Sequence, residues 1–363
     1  MRPTTIANND LKWETAAQEN YGVDIGFLKN RINFTADYYN SITSDLLFSV
    51  PLPQYSGYSN QTKNIGKIQN KGLELSLGSK NIVGKLNWST DFNISFNRNK
   101  VLELPSGNDI IYANAPGHMI GIGGTAQVLR VGQPVGSFFG WIYDGVYQTG
   151  ATFKPGGGFE QAAGGENFRD FSGKRDANGK KLDEPDGLLN NDDRTIIGDP
   201  NPDFIFGITN DFSYKNFDLN VFVQGSQGND VLSYTLLELE TISGINNATT
   251  EALKRWTPTN TNTNVPRAFA GRPQRVSTRC IFDGSYVRLK NVAFGYNFPT
   301  SITQKLSMQR LRIYVSAQNL LTSTKYRGYD PEVNYRNSNL NAGVDYGSYP
   351  NAKSVTAGIN VGF

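Results

Sequence analysis

The chain has 363 residues, of which 38% are hydrophobic and 12% aromatic, and its formal net charge at neutral pH is +3. A charge balance this close to zero gives no reason to expect a nucleic-acid partner. The single histidine and single cysteine exclude an internal disulfide and most metal-hydrolase or histidine-triad schemes, and a mean hydropathy of -0.44 without a long apolar run excludes membrane-spanning helices.

The first predicted elements are two alternating segments, residues 21–27 and 32–39, joined by a short turn at residues 29–31. In the first segment apolar side chains alternate with Gly22, Asp24 and Gly26. A turn this short makes the two strands antiparallel. The segment that follows, residues 45–58, is interrupted by proline and glycine and predicts a loop.

The clearest strand in the chain lies at residues 84–97. Its apolar side chains fall on even positions and its polar ones on odd positions, so the two faces differ in character. The eleven residues from Leu86 to Phe96 match a strand that crosses a bilayer at a tilt, which needs roughly 9 to 11. This length favours lipid on one face and water on the other, although a long half-buried strand of a soluble sheet gives the same alternation.

Residues 73–78 alternate in the same way and lead through a short turn near residues 81–84 into that strand. Two successive hairpins with tight turns, separated by a longer loop, predict an up-and-down meander. Short turns at one end and long loops at the other are typical of an outer-membrane barrel.

Further along, Val128–Gln148 is strand-like in composition, and strands are expected at residues 204–224, 285–298, 311–318 and 355–363. Residues 230–256 predict one or two short helices in an external loop. Arg288 and Lys290 share the parity of the apolar residues that follow them, and charges are costly inside a bilayer. The start of that strand is therefore expected above the membrane. The total is ten or eleven strands, about half of a 22-stranded barrel.

Several segments, taken in order, resemble the barrel region of TonB-dependent outer-membrane transporters of the SusC/RagA type. They are L-K-W-E, Q-E-N-Y-G-V-D-I-G-F-L, D-Y-Y, N-I-G-K-I-Q-N-K-G-L-E-L, I-I-G-D-P-N-P-D-F, S-Y-V-R-L-K-N-V-A-F-G-Y-N-F-P and Y-V-S-A-Q-N-L-L. The resemblance covers essentially the whole chain. It implies an all-β fold, an antiparallel up-and-down transmembrane β-barrel portion with long extracellular loops at about 101–127, 150–202, 230–275 and 322–352. Residues 1–363 then form one C-terminal part of the barrel.

The resemblance also implies a function in nutrient uptake across the cell outer membrane, with oligosaccharide or peptide as cargo. The partners it implies are outer-membrane lipid, a SusD-like surface lipoprotein, and TonB acting through a plug domain. In the family that plug precedes the barrel, and it is not recognised ahead of Arg2, so the chain resembles a C-terminal half. No residues form a convincing catalytic set, and an enzyme is not expected.

Four aromatic residues, Tyr112, Tyr234, Trp256 and Tyr335, are candidate substrate contacts. Tyrosine and tryptophan rings stack on apolar surfaces and carry a polar group that can donate a hydrogen bond. Each of the four also fits a membrane girdle or a packing role. Phe363 is the last residue of an alternating strand. The resemblance implies that this terminal aromatic residue acts as the signal for insertion of the barrel into the outer membrane.

The acidic stretch at residues 182–194 is the one candidate ion site, and no other cofactor is predicted. Counted as an EF-hand loop, Glu184, Asp186 and Asp193 fall on ligand positions, but position 1 is Leu182. Asp183 would substitute after a shift of one residue, and the resemblance suggests a calcium loop that has decayed. A solvated acidic turn is the alternative.

A second functional hypothesis is a soluble β-rich carbohydrate-binding module, such as a lectin-like sandwich. It predicts that the apolar faces of the strands are buried against one another. A barrel enzyme is a third hypothesis, but the lone His118 in a Gly- and Pro-rich loop argues against the usual catalytic groupings.

Overall fold

The computed structural model describes residues 5–51, 58, 60–64, 66–104, 109–113, 125–179, 181–244, 246–334 and 342–363 of the chain. Its main element is one antiparallel sheet of nine long strands, in which each strand pairs with the next along the chain. In sheet order the strands are Thr15–Phe27, Ile32–Ser44, Lys67–Ile82, Leu86–Glu103, Phe204–Tyr214, Phe217–Gln227, Tyr286–Asn297, Arg310–Thr324 and Ser354–Gly362.

The strand register keeps the predicted alternation across most of the sheet. Phe92 lies opposite Leu77 on one side and Ile208 on the other, so apolar side chains line one face. Asp91 lies opposite Gly78 and Thr209 on the other face, which is polar. Because the period of a strand is two, this register gives the sheet one apolar and one polar surface.

The apolar face of the sheet is open rather than covered by a second layer. Val355, Ile359 and Phe294 keep 70%, 67% and 50% of their surface exposed. Such a large exposed apolar surface is expected where lipid covers it. The soluble module required buried apolar faces, and the sheet does not have them.

The connections at the two ends of the sheet differ in length. At one end the strands are joined by residues 28–31, 83–85, Lys215–Asn216 and 298–309, the last of which contains the short helix Thr300–Thr303 and the 3-10 turn Gln304–Leu306. At the other end the connections cover residues 45–66, 104–203, 228–285 and 325–353. The predicted asymmetry of short turns and long loops is therefore present.

The prediction of ten or eleven barrel strands is too high, because the sheet has nine. The excess comes from the segment Val128–Gln148, which was counted as barrel strand. This segment contributes three short strands to small sheets within one long connection, and none of them joins the nine-stranded sheet. Its glycines and its lack of sustained alternation explain the difference, because only long alternating segments can present one face to lipid.

The long connections carry additional short elements. Residues 45–58, predicted as a loop, contain the strand Leu47–Pro51. This strand pairs with Asn60–Asn64, and Asn60–Asn64 pairs on its other side with Thr5–Ile6. The other strands are Ile110–Ala113, Thr125–Leu129, Phe138–Gly140, Tyr143–Val146, Glu166–Phe168, Gly173–Arg175, Lys181–Pro185, Thr195–Gly198, Asp230–Ser233, Ile281–Asp283 and Val344–Asp345.

Residues 230–256 contain the helix Tyr234–Glu240 and the 3-10 turn Thr250–Lys254, as predicted, and further 3-10 turns lie at Asn191–Asp193 and Thr278–Cys280. Among the described residues, no helix is both long enough and apolar enough to span a membrane. The buried hydrophobic clusters of the chain lie almost entirely within the long connections, which pack on one another at one end of the sheet.

Candidate functional site

The polar face of the sheet forms a wall of hydrogen-bonded side chains. Asn220 donates to Asp211 at 2.8 Å and accepts from Asn291 at 3.0 Å, across three neighbouring strands. Arg312 forms an ion pair with Asp218 near the short-turn end. Such a surface suits water or a hydrated protein surface rather than lipid.

A β-bulge at Lys290 overturns the assignment of Arg288 to the lipid-facing parity. Leu289 and Asn291 lie opposite Val223 and Phe222, so Lys290 is an extra residue and the face changes there. Arg288 consequently lies on the polar face, and Val287 and Leu289 join the apolar one. The sequence signal for this bulge is the change of parity between Leu289 and Val292.

Arg288 is the centre of a buried ion network at the long-loop end of the sheet. Its side chain is 2% exposed and forms ion pairs with Asp330, at 2.6 Å, and with Glu332. Glu332 also accepts hydrogen bonds from Tyr286 at 2.6 Å and from Gln224 at 2.8 Å. The network therefore ties the connection 325–353 to two strands of the sheet.

The pKa of Asp330 reflects this environment. Burial acts to raise it, but backbone amides of Glu332 and Asn351 and the guanidinium of Arg288 stabilise the charged form and hold the pKa below its usual value. Asp330 is thus an ionised, fully engaged carboxylate that keeps the loop in place.

Other ion pairs connect the long loops to one another. Glu160 pairs with Arg272 at 2.8 Å and with Arg267 at 2.6 Å, and Glu240 pairs with Arg327 at 2.5 Å. The carboxylates of Glu160 and Glu240 are largely buried, and of their cations only Arg272 is buried as well. They join the described parts of the connections 104–203, 228–285 and 325–353 into a single packed assembly, the loop assembly.

Two of the predicted substrate contacts lie in the interior of the loop assembly. Tyr234 is 1% exposed and packs against Phe138, Leu237 and Val276. Its hydroxyl is buried without a hydrogen-bond partner among the described residues. Trp256 is 7% exposed, and its ring lies so close to Gly164 that a Cβ there would be 2.4 Å away. Both rings pack in the interior in this structure and neither is presented to a ligand.

The side chains of the other two predicted contacts, Tyr112 and Tyr335, lie outside the described part of the chain. Tyr112 belongs to the strand Ile110–Ala113 and lies opposite Gln127, but its side chain is outside the described part of the chain. Tyr335 and His118 also lie outside the described residues. The role of these residues stays a prediction. Phe363 is described and 83% exposed, and its role in insertion likewise stays a prediction.

Three of the four acidic residues of the predicted calcium loop have separate partners. Asp193 accepts hydrogen bonds from the backbone amides of Asn190, Phe171 and Ser172, while Glu184 pairs with Lys174 at 2.6 Å. Asp186 accepts from the backbone of Leu188.

These acids do not converge in the structure. No group of three or more His, Cys, Asp or Glu side chains in the described ranges is placed to hold a metal ion. One nearby carboxylate oxygen, Oδ1 of Asp170, is buried without a hydrogen-bond partner among those residues. Asp183, Glu184, Asp186 and Asp193 thus do not form a cage as they stand, and calcium binding stays a prediction.

Cys280 gives a direct check on the packing of the loop assembly. Its side chain is 2% exposed, and burial raises the pKa of the thiol to about 12. We expect no labelling by iodoacetamide at pH 8 in the folded protein, because the reactive thiolate is absent and access is blocked. Labelling should become complete in denaturant, and rapid labelling of the folded protein would contradict the packing of the loop assembly.

Comparison with known proteins was made on sequence and on structure. Residues 2–180 match the family model described as TonB dependent receptor-like, beta-barrel. The chain is 48% identical over 99% of its length to TonB-dependent receptor P3 of Formosa agariphila, and 30% identical over 98% to TonB-dependent receptor SusC of Bacteroides thetaiotaomicron. It spans 35% and 32% of those two proteins.

Among solved structures, the RagAB peptide transporter superposes with a TM-score of 0.78 at 28% identity. The match covers 98% of this chain and 36% of that one. The chain therefore spans about a third of the length of each of these three relatives.

Proposed function

Because this chain belongs to the β-barrel family of TonB-dependent receptors, we propose that it forms part of the wall and the external mouth of an energy-dependent importer. The family is one of outer-membrane transporters, so the chain is an outer-membrane protein and not an enzyme.

The observation that carries the proposal is the arrangement of the sheet and its loops. One face is apolar and exposed, the other is polar and hydrogen-bonded, and the long connections form the packed loop assembly at one end only. An open sheet edge in lipid leaves backbone groups unsatisfied at a cost of several kcal/mol each. The two edge strands of this sheet, Thr15–Phe27 and Ser354–Gly362, are not paired with each other, so further strands are needed to complete a closed barrel, in keeping with relatives about three times as long.

The proposed partners follow from the relatives. TonB would supply energy through a plug domain in the barrel, and a SusD-like surface lipoprotein would cover the external mouth, where the loop assembly lies. The RagAB complex is a peptide transporter, and oligosaccharide or peptide is the proposed cargo of this protein. Loop residues at the mouth would be the first to contact it.

The test is uptake by the organism that carries the full-length receptor. A strain without the receptor, and a strain without TonB, should both lose growth on the transported oligosaccharide or peptide and keep growth on the corresponding monosaccharide or amino acids. Reintroducing the receptor should restore growth. Unchanged growth of the receptor-deficient strain on all such polymers, or recovery of the receptor in the soluble fraction, would refute the proposal.

A further inference from the structure

The apolar face of the sheet ends, towards the long loops, in a row that is rich in aromatic side chains. Tyr21 lies opposite Tyr38, Tyr38 lies opposite Leu73, and Leu73 lies opposite Phe96. Phe96 packs in turn on Phe204, with the two ring centroids 5.7 Å apart. Girdles of aromatic residues flank the apolar band of a barrel at both membrane surfaces. The membrane surface on the side of the loop assembly is therefore expected just beyond this aromatic row.

The length of the apolar band agrees with that position. From Leu86 to Phe96 the strand makes ten residue steps of about 3.3 Å, or about 33 Å along the strand. A tilt of about 40° reduces this length to about 25 Å along the membrane normal, which is the height of the apolar band of outer-membrane barrels. The next residue of the strand that faces outward is Arg98, so Arg98 lies at the level of the lipid headgroups.

The first outward-facing residues beyond the aromatic row include three cations on two neighbouring strands. Lys71 lies directly opposite Arg98, and Lys100, two residues further along, lies opposite Gln69. The side chains of Lys71, Arg98 and Lys100, which we call the basic row, are all exposed. Diagonal neighbours in a sheet are about 7–8 Å apart. The long side chains of Lys71 and Lys100 can therefore reach the same phosphate group.

The charge of the basic row is only partly compensated. Arg98 forms an ion pair with Asp203 at 2.7 Å, and both side chains are more than half exposed. Neither Lys71 nor Lys100 forms an ion pair with another residue in the described part of the chain. Glu19 belongs to the same outward-facing row but lies two strands away from Lys71. Because like charges directly opposite each other destabilise a sheet, an anion bound above Lys71 and Arg98 would relieve their repulsion.

We infer that the basic row binds the phosphate groups of a lipid in the outer leaflet of the membrane, whose acyl chains lie against the apolar band below the aromatic row. The row faces outward, on the surface of the sheet opposite to the polar wall, so its ligand comes from the membrane and not from the cargo. Lysine and arginine form charge-assisted hydrogen bonds with phosphate oxygens. This lipid site goes beyond the proposed uptake function and does not depend on it.

The test is native mass spectrometry of the purified full-length receptor in detergent, titrated with diphosphoryl lipid A. The wild type should retain the lipid, and the double variant Lys71→Gln/Lys100→Gln should bind it about tenfold more weakly, because lysines near a membrane surface each attract anionic headgroups. The double variant Lys80→Gln/Lys85→Gln is the matched control and should bind as the wild type does. It removes two exposed lysines from the same pair of strands at the short-turn end.

Two further lipids identify the group that is bound. Lipid A without its phosphates should bind the wild type as weakly as diphosphoryl lipid A binds the Lys71→Gln/Lys100→Gln variant. Phosphatidylglycerol should bind more weakly than diphosphoryl lipid A, and equal binding would overturn the assignment to a lipid of the outer leaflet.

The comparison of the two double variants decides whether the basic row is the site. Both variants change exposed side chains, so both should keep the heat-dependent migration of the folded receptor on a gel. Equal affinity of the wild type and both variants for diphosphoryl lipid A, or an equal loss in the two variants, would overturn the site. Uptake is not part of the readout, so either result leaves the proposed transport function in place.

Discussion

Replacement of Arg288 with methionine is expected to lower the free energy of unfolding of the receptor by about 3–5 kcal/mol, because Asp330 and Glu332 would be left without their cation. Arg288 and Asp330 are both almost fully buried, and methionine fills similar space without a charge. We also expect the connection 325–353 to become sensitive to protease. Urea unfolding of the receptor in detergent and limited proteolysis measure the two effects.

Lys290→Met is the matched control for this prediction. Lys290 lies two residues along the same strand and is 3.7 Å from the same carboxylate, Glu332, but a third of its side chain is exposed. Partly exposed ion pairs contribute roughly 0–1 kcal/mol, so this change should have little effect. Equal destabilisation by the two variants would show that the network around Arg288 is not what holds the loop.

The pH dependence of the same network has a defined sign. The pKa of Asp330 is lower in the folded state than its unfolded value of about 3.9. Its contribution to stability is therefore complete above that unfolded value and is lost as the pH falls through the folded one. The difference in stability between wild type and Arg288→Met should accordingly narrow below about pH 4.

Strict alternation was sufficient to predict most of the barrel strands. Leu86–Glu103 and Ser354–Gly362 are recognisable because lipid and water impose opposite requirements on successive residues. The bulge at Lys290 was missed because a strand was assumed to keep one register along its length. A bulge is visible in sequence only as a change of parity, and the prediction assigned Arg288 and Lys290 to one face instead of testing for such a change.

The loop assembly was much harder to predict. Tyr234 and Trp256 were selected as aromatic residues that could stack on the cargo or hydrogen-bond to it, but they fill the interior of packed loops. These loops have no periodic pattern, so sequence does not distinguish a ring that faces a ligand from one that faces a neighbouring loop.

On the sheet itself, Phe92→Arg is expected to destabilise the receptor folded in a bilayer by about 2–4 kcal/mol, the cost of an arginine facing lipid near the midplane. Phe92 lies near the middle of the predicted membrane crossing, with Leu77 and Ile208 as cross-strand neighbours on the apolar face. The full-length receptor should fold less completely into lipid vesicles. Heat-dependent migration on a gel and urea titration give the folded fraction and its stability.

Ser95→Arg places the same side chain on the same strand but on the opposite face. Ser95 lies directly across from Glu74 and donates to its carboxylate at 3.4 Å, so an arginine there would meet water and an opposite charge. This variant should fold nearly as well as wild type. If Ser95→Arg lowers the stability of the folded receptor as much as Phe92→Arg does, lipid and water do not distinguish the two faces of the sheet. A much smaller loss of stability for Ser95→Arg is the result expected if one face meets lipid and the other meets water.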